Sequence, residues 1–311
     1  MKKKRKFKFY STKFLAEYLG VSEDFFIDLI QQRPKYFTCL TQKDKKGKER
    51  TFYKAWGPFK KILAQIDRRI LNRISYHNNF MGGISGRNLK QNAEQHLGNK
   101  NIFKIDIKSF YPSITPTMVR KALLSLGMSQ ACATSITSLA TADEHLPQGF
   151  STSPKLAALV LYPVDSRLHN LAQKNGWVYT FWIDDITISA NTPIAPFKKI
   201  IFKIIEDSGF KINQEKTSLA NKCTQMLVTG IVINKKINIP LQRRREIRQI
   251  LYCIREFGPK NYLAREKSKE QIRTVKKLKE EIIGKIRYAL SINPNLGRKL
   301  MKEFRQIDWT K

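Results

Sequence analysis

The spacing of apolar residues predicts both helices and strands, without a regular repeat. Apolar residues recur at helical spacing in FKKILAQIDRRILNRI (59–74), with cations on the opposite face. NIFKIDI (101–107) alternates like a strand, and WVYTFWIDDITIS (177–189) is typical of a hairpin. QMLVTGIVINKKINIPL predicts a second hairpin, and the chain from residue 242 has a helical pattern. The expected fold class is α+β with a helical C-terminal part.

Capping and turn residues predict where several of these elements begin and end. TKFLAEYLG is a helix closed by Gly20, and SEDFFIDLI is a helix that opens on Ser22 as its N-cap. QKDKKGKERTFY predicts a hairpin with a basic tip. Helices are also expected in MVRKALLSLGM, after the LPQGFSTS loop, and in PFKKIIFKIIEDSG, which a strand-like FKIN follows.

The charge balance changes this picture by pointing to a partner. The chain has 58 Lys and Arg against 25 Asp and Glu, a net charge of +33. Residues 236–311 alone hold 21 Lys and Arg against 8 Asp and Glu. Nucleic acid is therefore the expected partner, with a membrane surface as the other polyanion. No apolar run approaches the ~20 residues that span a bilayer, and the basic start has no apolar core, so neither membrane insertion nor a signal peptide is expected.

Cysteine and histidine, the residue types that bind metals through sulfur or imidazole, are scattered along the chain. The four cysteines (Cys39, Cys132, Cys223 and Cys253) and the four histidines form no CxxC or HxxxH pair. A zinc site is therefore not expected. The thiols are predicted to be reduced, buried and structural, which favours a reducing cytoplasm.

Two adjacent aspartates interrupt the apolar hairpin at residues 177–189. The pattern places Asp184 and Asp185 together in a two-residue turn, where aspartate tolerates a positive φ, so a plain turn is one interpretation. The difficulty with a plain turn is that two like charges stand between aromatic and β-branched residues. Their repulsion and desolvation should raise the pKa of a carboxyl unless a cation is present.

A third aspartate, Asp106, lies in the apolar strand NIFKIDI. Three carboxylates on β elements of a chain that favours nucleic acid indicate a hard divalent cation such as Mg²⁺. Two such ions ~3.5–4 Å apart can stabilise both the attacking and the leaving oxygen of a phosphoryl displacement. This is the chemistry of a polymerase or of a nuclease, and spacing alone does not separate the two.

Four stretches, in this order and spacing, resemble a reverse transcriptase: FKIDIKSFYPSI, LPQGFSTSPKLAAL, FWIDDITIS and GFKINQEKT. NAEQH (92–96) resembles the NAxxH motif of bacterial retron reverse transcriptases, and VTG (228–230) resembles the VTG motif of that group. The resemblance is clear over residues 46–230.

The resemblance implies the residues of the active site. In that family Asp106, Asp184 and Asp185 would hold two Mg²⁺ ions, or Mn²⁺, with Asp185 as the less direct ligand. Tyr111 would pack under the sugar and exclude a 2′-hydroxyl, although without the motif it would be taken as a core aromatic. Lys216 would protonate the departing pyrophosphate, the alternative being one more solvated lysine.

The resemblance also implies a set of substrate-binding residues. Gln148 and Gly149 would position the incoming nucleotide and the template. Arg50 and Arg87 are the candidates for a cationic clamp on the triphosphate. Trp182 would lie against the primer end.

The two motifs typical of retrons have a less direct role. Asn92 and His96 stand four residues apart on a predicted helix and point the same way. They either orient the fingers through hydrogen bonds, which is the favoured interpretation, or contact the RNA. Val228, Thr229 and Gly230 belong to the second hairpin.

The hairpin departs from the family pattern, because it reads WIDD where the family commonly has YADD. Trp182 replaces the tyrosine, and it keeps an apolar platform and a donor but cannot accept a hydrogen bond. Ile183 is larger than the common alanine. No metal ligand is lost, so activity is expected.

The resemblance implies a right-hand polymerase fold. A basic arm and fingers would occupy residues 1–98, a palm 99–235 with fingers-type helices at about 115–145, and a basic helical thumb 236–311. The implied function is an RNA-directed DNA polymerase of retron type that copies a cognate structured noncoding RNA into a branched RNA–DNA product from dNTPs. An effector protein and a role in defence against phage are implied as well. The alternatives are another bacterial defence reverse transcriptase, such as an abortive-infection enzyme, and a non-catalytic RNA-binding scaffold.

Overall fold

A computed structural model describes residues 11–43, 47, 49–265 and 274–310. They form two compact units: the first runs to Arg87 and resumes over Asn101–Leu219, and the second combines Asn88–Lys100 with the chain from Ala220 onward. The basic arm predicted at residues 1–8 and most of the first hairpin's tip lie outside the described residues. The boundaries of fingers, palm and thumb remain a prediction.

Helices are more numerous than strands in the described part of both units. In chain order they are α1 (Thr12–Leu19), α2 (Glu23–Gln31), α3 (Gly57–Gln65), α4 (Leu89–Gln95), α5 (Phe110–Ser113), α6 (Pro116–Ser125), α7 (Gln130–Ala140), α8 (Ser153–Val160), α9 (Tyr162–Asn175), α10 (Lys198–Glu206), α11 (Leu241–Phe257), α12 (Pro259–Arg265), α13 (Val275–Ile292) and α14 (Pro294–Arg305).

Strands form three sheets in the described part of the chain. They are β1 (Phe37–Lys43), β2 (Glu49–Ala55), β3 (Asn101–Ile107), β4 (Val178–Trp182), β5 (Asp185–Ala190), β6 (Ile212–Asn221), β7 (Leu227–Val228) and β8 (Ile231–Val232). β1 and β2 form one hairpin, β7 and β8 another, and the central sheet has the order β4-β5-β3-β6. The α+β class and the three predicted hairpins are confirmed.

The predicted helix ends of the N-terminal region are confirmed. The Ser11 and Ser22 hydroxyls accept hydrogen bonds from the backbone N–H groups of Phe14 and Phe25, which caps α1 and α2. Gly20 ends α1 with a φ of 82°, a conformation that glycine adopts without strain.

The amphipathic stretch at residues 59–74 is helical but not one regular α-helix. After α3 the chain widens into a π-helical turn over Ile66–Ile70 and tightens into a 3₁₀ turn over Leu71–Arg73. In the π segment the Asp67 carboxylate accepts a 2.6 Å hydrogen bond from the buried Lys155 ammonium of α8. This ion pair ties the segment to the helix that follows the LPQGFSTS loop.

The central sheet is buried on its inner strands. β3 pairs antiparallel with β5, and β5 pairs antiparallel with β4. Ile105, Ile186 and Ile188 are at most 1% exposed and belong to the core of the first unit. The buried inner strands of the sheet are therefore the setting in which the aspartates of β3 and β5 must be accommodated.

The second unit is built from the C-terminal helices and α4. Leu251 of α11, Ile282 and Ile286 of α13, and Leu300 of α14 are buried, and these three helices pack on one another. α4 packs against β8, and the Lys222 N–H donates to the Lys100 carbonyl oxygen. The predicted helical character of the C-terminal region is confirmed.

The cysteines are free, as expected, but only one of them is fully buried. Cys132 is buried, Cys253 is half-buried, and Cys39 and Cys223 are exposed. The expectation that all four are buried structural thiols is therefore wrong, because Cys39 and Cys223 lie on exposed segments of β1 and of the turn after β6. None of the described helices is long and apolar enough to cross a membrane.

Candidate active site

Backbone pairing in the central sheet brings the three aspartates together. Asp106, near the end of β3, lies opposite Asp185, the first residue of β5, and Asp185 also pairs with Trp182 at the end of β4. The Ile107 N–H donates a 3.1 Å hydrogen bond to the Asp184 carbonyl oxygen. The three carboxylates therefore stand on adjacent chain segments at one end of the sheet.

The turn of this hairpin differs from the one that the sequence predicted. Its central residues are Ile183 and Asp184, whereas Asp185 already belongs to β5. Only Ile183 has a positive φ, of 60°, which is the backbone pattern of a type II′ turn. The prediction that both aspartates occupy the turn is wrong, because pairing of Trp182 with Asp185 sets the register one residue earlier. As a result, Asp184 projects from the turn and Asp185 from the strand.

Burial and like charge both act on the aspartates. Burial first, and then the charges of Asp185 and Asp106, raise the pKa of Asp184 to about 6. Burial is also the main cause that raises the pKa of Asp185, with Asp106 adding to it and Lys104 opposing it. Burial is thus the main reason why the charged carboxylates are disfavoured here, and the neighbouring carboxylates add to it, which is the environment expected from the sequence to need a cation.

Lys216 is brought to this site, together with a residue that the sequence analysis did not identify. The Lys216 ammonium donates to Asp106 Oδ1 at 2.9 Å, and the Asn213 amide donates to Asp106 Oδ2 at 3.0 Å. Both belong to β6, which lies beside β3 in the sheet. Asn213 orients the carboxylate by a hydrogen bond to the oxygen that Lys216 leaves free.

The described residues do not by themselves gather a complete set of metal ligands. Among the residues that the structure describes, no group of three or more His, Cys, Asp and Glu is arranged closely enough to hold a metal ion. Both oxygens of Asp106 are engaged by Lys216 and Asn213. The donors that remain are carboxylate oxygens, the type that a hard divalent cation prefers and commonly shares with substrate phosphates and water.

Tyr111 lies in the same electrostatic environment. It is half-buried in α5, and its ring centroid is 5.6 Å from that of Phe110. Burial, and secondarily the charge of Asp184, raise the pKa of its hydroxyl above the usual value for tyrosine. The phenol therefore stays protonated beside the aspartates.

Gln148 and Gly149 lie against β2. The Tyr53 N–H donates a 2.8 Å hydrogen bond to the Gln148 carbonyl oxygen. Gly149 has a φ of 122°, and a Cβ there would stand 2.3 Å from the Tyr53 carbonyl oxygen, so no other residue fits without movement. The Tyr53 hydroxyl donates to Asp143 at 2.6 Å, which fixes the same loop a second time.

The two candidate clamp arginines differ in their surroundings. Arg50 is exposed on β2, opposite Gln42 of β1. Arg87 is half-buried and donates hydrogen bonds to the backbone carbonyl oxygens of Tyr76, His77 and Phe80. Its guanidinium therefore organises the chain at residues 76–80, whereas Arg50 lies on an exposed strand.

The two motifs typical of retrons meet in the second unit. Asn92 and His96 are 0% exposed, and α4, which ends one residue before His96, packs against β8 of the VTG hairpin. Burial lowers the pKa of His96 to about 4, so its imidazole is neutral at physiological pH. Thr229 and Gly230 form the turn of that hairpin, with φ values of 47° and 80°, and Val228 is buried before it. This burial favours the structural interpretation over RNA contact.

Comparison with known proteins agrees with this arrangement. The family model described as reverse transcriptase (RNA-dependent DNA polymerase) matches residues 43–233. The retron Ec86 reverse transcriptase of Escherichia coli is 32% identical over 217 residues, 68% of each chain. The retron Mx65 reverse transcriptase of Myxococcus xanthus is 26% identical over 75% of this chain and 60% of its own, so less than two thirds of that relative is spanned. The retron Ec73 reverse transcriptase of Escherichia coli is 28% identical over 85% of this chain and 86% of its own.

Among solved structures, telomerase from Candida albicans in complex with a fragment of telomeric RNA matches 90% of this chain and 59% of its own. The sequence identity between the two chains is 11%, and the TM-score is 0.47. The family match covers β2, the central sheet with all three aspartates, and the VTG hairpin, and it confirms the α+β right-hand polymerase fold. The chain therefore belongs to the reverse transcriptase family of RNA-directed DNA polymerases and, within it, to the retron reverse transcriptases.

Proposed function

We propose that this chain copies a cognate structured noncoding RNA into DNA by two-metal nucleotidyl transfer at Asp106, Asp184 and Asp185. The observation that carries the proposal is the pairing of Asp106 with Asp185, beside Asp184, within the region that the reverse transcriptase family matches. A branched RNA–DNA product and a role in defence against phage are part of the proposal, as the resemblance to retron reverse transcriptases implies.

Reverse transcriptases use divalent metal ions, and the residues of this site suit them. The donors are carboxylate oxygens, and burial together with the charge of Asp185 raises the pKa of Asp184, so a bound cation would stabilise the charged carboxylate. Asp106, Asp184 and Asp185 would hold two Mg²⁺ ions, or Mn²⁺, with substrate phosphates and water completing the ligands. When bound, such ions stabilise charge on the attacking and leaving oxygens of the phosphoryl displacement.

The chain's own residues would orient the reactants and move a proton. Asn213 holds Asp106 in place by its amide, while the Lys216 ammonium, 53% exposed, lies on the other oxygen of the same carboxylate. We assign to Lys216 the donation of a proton to the departing pyrophosphate, which requires it to exchange Asp106 for the nucleotide. Tyr111, protonated and beside Asp184, would pack under the sugar and exclude a 2′-hydroxyl.

The remaining parts of the proposal concern binding. Gln148 and Gly149 would position the nucleotide and template, Trp182 would lie against the primer end, and Arg50 would contact the triphosphate. The basic C-terminal helices would grip the RNA–DNA duplex through its phosphates and shape. The free thiols suit a reducing cytoplasm, and an effector protein is a further proposed partner.

Primer extension with matched variants tests the site. Purified protein, its neighbouring noncoding RNA, dNTPs and Mg²⁺ should yield DNA that stays joined to RNA on a denaturing gel until the RNA is digested. Asp106→Asn and Asp184→Asn should abolish synthesis. Asp24→Asn, the same change at an exposed position of α2, is the control and should retain it. Synthesis by Asp184→Asn at the wild-type rate would refute the site, and no synthesis by wild type on any primed RNA would favour a non-catalytic scaffold.

A further inference from the structure

Residues 79–83 (NFMGG), here called the glycine segment, lie along the edge of the hairpin that carries Asp184. The Phe181 N–H donates to the Asn79 carbonyl oxygen at 2.7 Å. The Phe181 carbonyl oxygen accepts in turn from the Met81 and Gly82 N–H groups at 2.8 and 3.1 Å. Phe80 forms a parallel bridge with Phe181, and their rings stack with centroids 4.7 Å apart. The glycine segment thus extends the sheet by one short strand beside β4.

Gly82 makes the closest approach to the catalytic turn. A Cβ at this position would stand 2.6 Å from the Ile183 backbone nitrogen and 2.9 Å from both the Trp182 carbonyl carbon and Ile183 Cγ1. Two of these three atoms belong to the backbone of the hairpin, so a flexible side chain cannot simply move aside. Gly82 has no positive φ, so backbone conformation does not require glycine there. The requirement is for space at the turn.

The next glycine makes a second close approach, on the opposite side of the segment. A Cβ on Gly83 would stand 2.3 Å from Pro154 Cβ, at the start of α8. α8 follows the loop that holds Gln148 and Gly149. The glycine segment is therefore in contact both with the turn that presents Asp184 and with the helix that follows the proposed nucleotide-positioning loop.

Two features show why the turn needs an external support. Ile183 is a β-branched residue at a φ of 60°, a conformation that persists only where surrounding structure enforces it. The glycine segment is itself anchored, because Arg87 donates hydrogen bonds to the carbonyl oxygens of Tyr76, His77 and Phe80. The Asn79 amide also donates to the buried carboxylate of Asp165 at 3.4 Å. An anchored segment is thus packed directly against a strained turn.

From these contacts we propose that Gly82 is a positioning residue for the polymerase reaction. It acts through Ile183. Because Gly82 lacks a Cβ, the glycine segment can pack directly against the turn. This contact sets the position of Asp184 relative to Asp106 and Asp185. Gly83 sets the spacing between the same segment and α8. The inference rests on the proposed catalytic role of Asp184.

Gly82→Ala tests this role, with Gly86→Ala as the matched control. Gly86 lies in the same loop and would place its Cβ in open space, although at a φ of 81°, so it measures the general cost of an alanine there. We expect Gly82→Ala to lower kcat at least about 30-fold, because a displacement of the order of 1 Å at a reacting group has effects of this size. The KM for dNTP and the affinity for primed RNA should change less than about threefold. Gly86→Ala should keep kcat within about threefold, whatever its melting temperature.

A second-site variant separates positioning from a general structural role. Ile183→Gly removes both the side chain that Gly82 contacts and the restriction on φ, so the turn loses its support and kcat should fall about fivefold without a lower melting temperature. In that background Gly82→Ala should lower kcat less than it does in wild type, because a glycine at position 183 lets the backbone of the turn move away from the added Cβ. Equal kcat losses from Gly82→Ala with and without Ile183→Gly would contradict the proposal.

The remaining outcomes also decide the question. Gly82→Ala with wild-type kcat overturns the inference. If Gly82→Ala fails to fold, Ile183→Gly alone decides, since wild-type kcat in that variant means that the support does not matter. If Asp184→Asn is inactive and Gly82→Ala is active, only the role of Gly82 is refuted. If Asp184→Asn is active, the proposed catalytic site is refuted as well.

Discussion

Two hairpins of this chain each have a β-branched residue at a positive φ in the turn, and their chemistry is opposite. In the β4–β5 hairpin the turn is Ile183–Asp184, and in the β7–β8 hairpin it is Thr229–Gly230. Each has a β-branched residue at a positive φ, 60° at Ile183 and 47° at Thr229. Such residues are strained in this conformation, so both turns must be held by their surroundings.

The two turns have different roles. Beside Ile183, burial and then the neighbouring aspartates raise the pKa of Asp184 to about 6, so the turn holds a disfavoured charge as well as strain. Beside Thr229 stands a glycine that adopts positive φ freely, and the hairpin packs against α4 next to the neutral, buried His96. A β-branched residue at a positive φ thus stands beside reactive carboxylates in the first turn and beside uncharged, packed residues in the second.

The largest expected effect comes from removing the charge at the first turn. Asp184→Asn should lower the polymerisation rate at least about 10³-fold, because metal-assisted charge stabilisation is worth several kcal/mol. The same variant should be more stable than wild type above pH 6 in the presence of EDTA. The gain should be roughly 1 kcal/mol after discounting for solvent screening, and rates and thermal unfolding measure the two effects.

The sign follows from the raised pKa. A carboxyl whose pKa rises on folding, from 3.8 to about 6 for Asp184, binds its proton better in the folded state. Its contribution to stability is therefore full below pH 4 and is lost as the pH rises through 6. Below pH 4 the variant and wild type should be equally stable. A variant that is less stable than wild type at pH 8 would show that the turn holds no excess charge.

The second expected effect concerns His96, on the neutral side of the comparison. Burial lowers the pKa of His96 to about 4 in the folded state. As the pH falls, the unfolded chain therefore binds a proton on this imidazole before the folded chain does. The contribution of His96 to the free energy of unfolding is full above pH 6.5 and is lost as the pH falls toward 4. Between pH 7 and pH 5 the loss should be roughly 2 kcal/mol. Denaturant unfolding at the two pH values measures it.

His96→Leu is the matched variant for this pH dependence, since leucine fills a similar buried volume and does not titrate. It should lose about 2 kcal/mol less than wild type over the same pH interval. An equal loss in both proteins would mean that His96 is not held neutral by burial, and the VTG region would then resemble the charged turn more closely than the structure indicates.

Much of the fold was open to prediction, because apolar spacing and caps are local signals. The helices from Thr12, Glu23 and Leu241 onward and the three hairpins follow from such signals. The π-helical turn after α3 did not follow from a local signal, and its Asp67 contacts Lys155, 88 residues away. The turn register was missed because the sequence pattern favours Asp over Ile at a positive φ, while strand pairing decided otherwise.

The site was predictable in its carboxylates and less so in their neighbours. Asp106, Asp184 and Asp185 stand in distinct motifs, and pairing of β3 with β5 brings two of them opposite each other. Asn213 was missed because strand alternation places it and Lys216 on opposite faces, yet both reach Asp106. Gly82 was missed because its importance lies in a close approach to a turn a hundred residues away, which no local pattern carries.

The smallest expected effect compares the two turns directly through the same substitution. Ile183→Gly and Thr229→Gly each remove a β-branched side chain from the left-handed region, so each should raise the free energy of unfolding by up to about 1 kcal/mol. On a generic primed RNA, single-turnover incorporation should fall about fivefold in Ile183→Gly, because the turn loses its contact with Gly82. It should change less than about twofold in Thr229→Gly, because no carboxylate depends on that turn. An equal loss of rate in both variants would mean that the second hairpin also positions reacting groups, and the contrast between a turn that presents charge and a turn that completes packing would not hold.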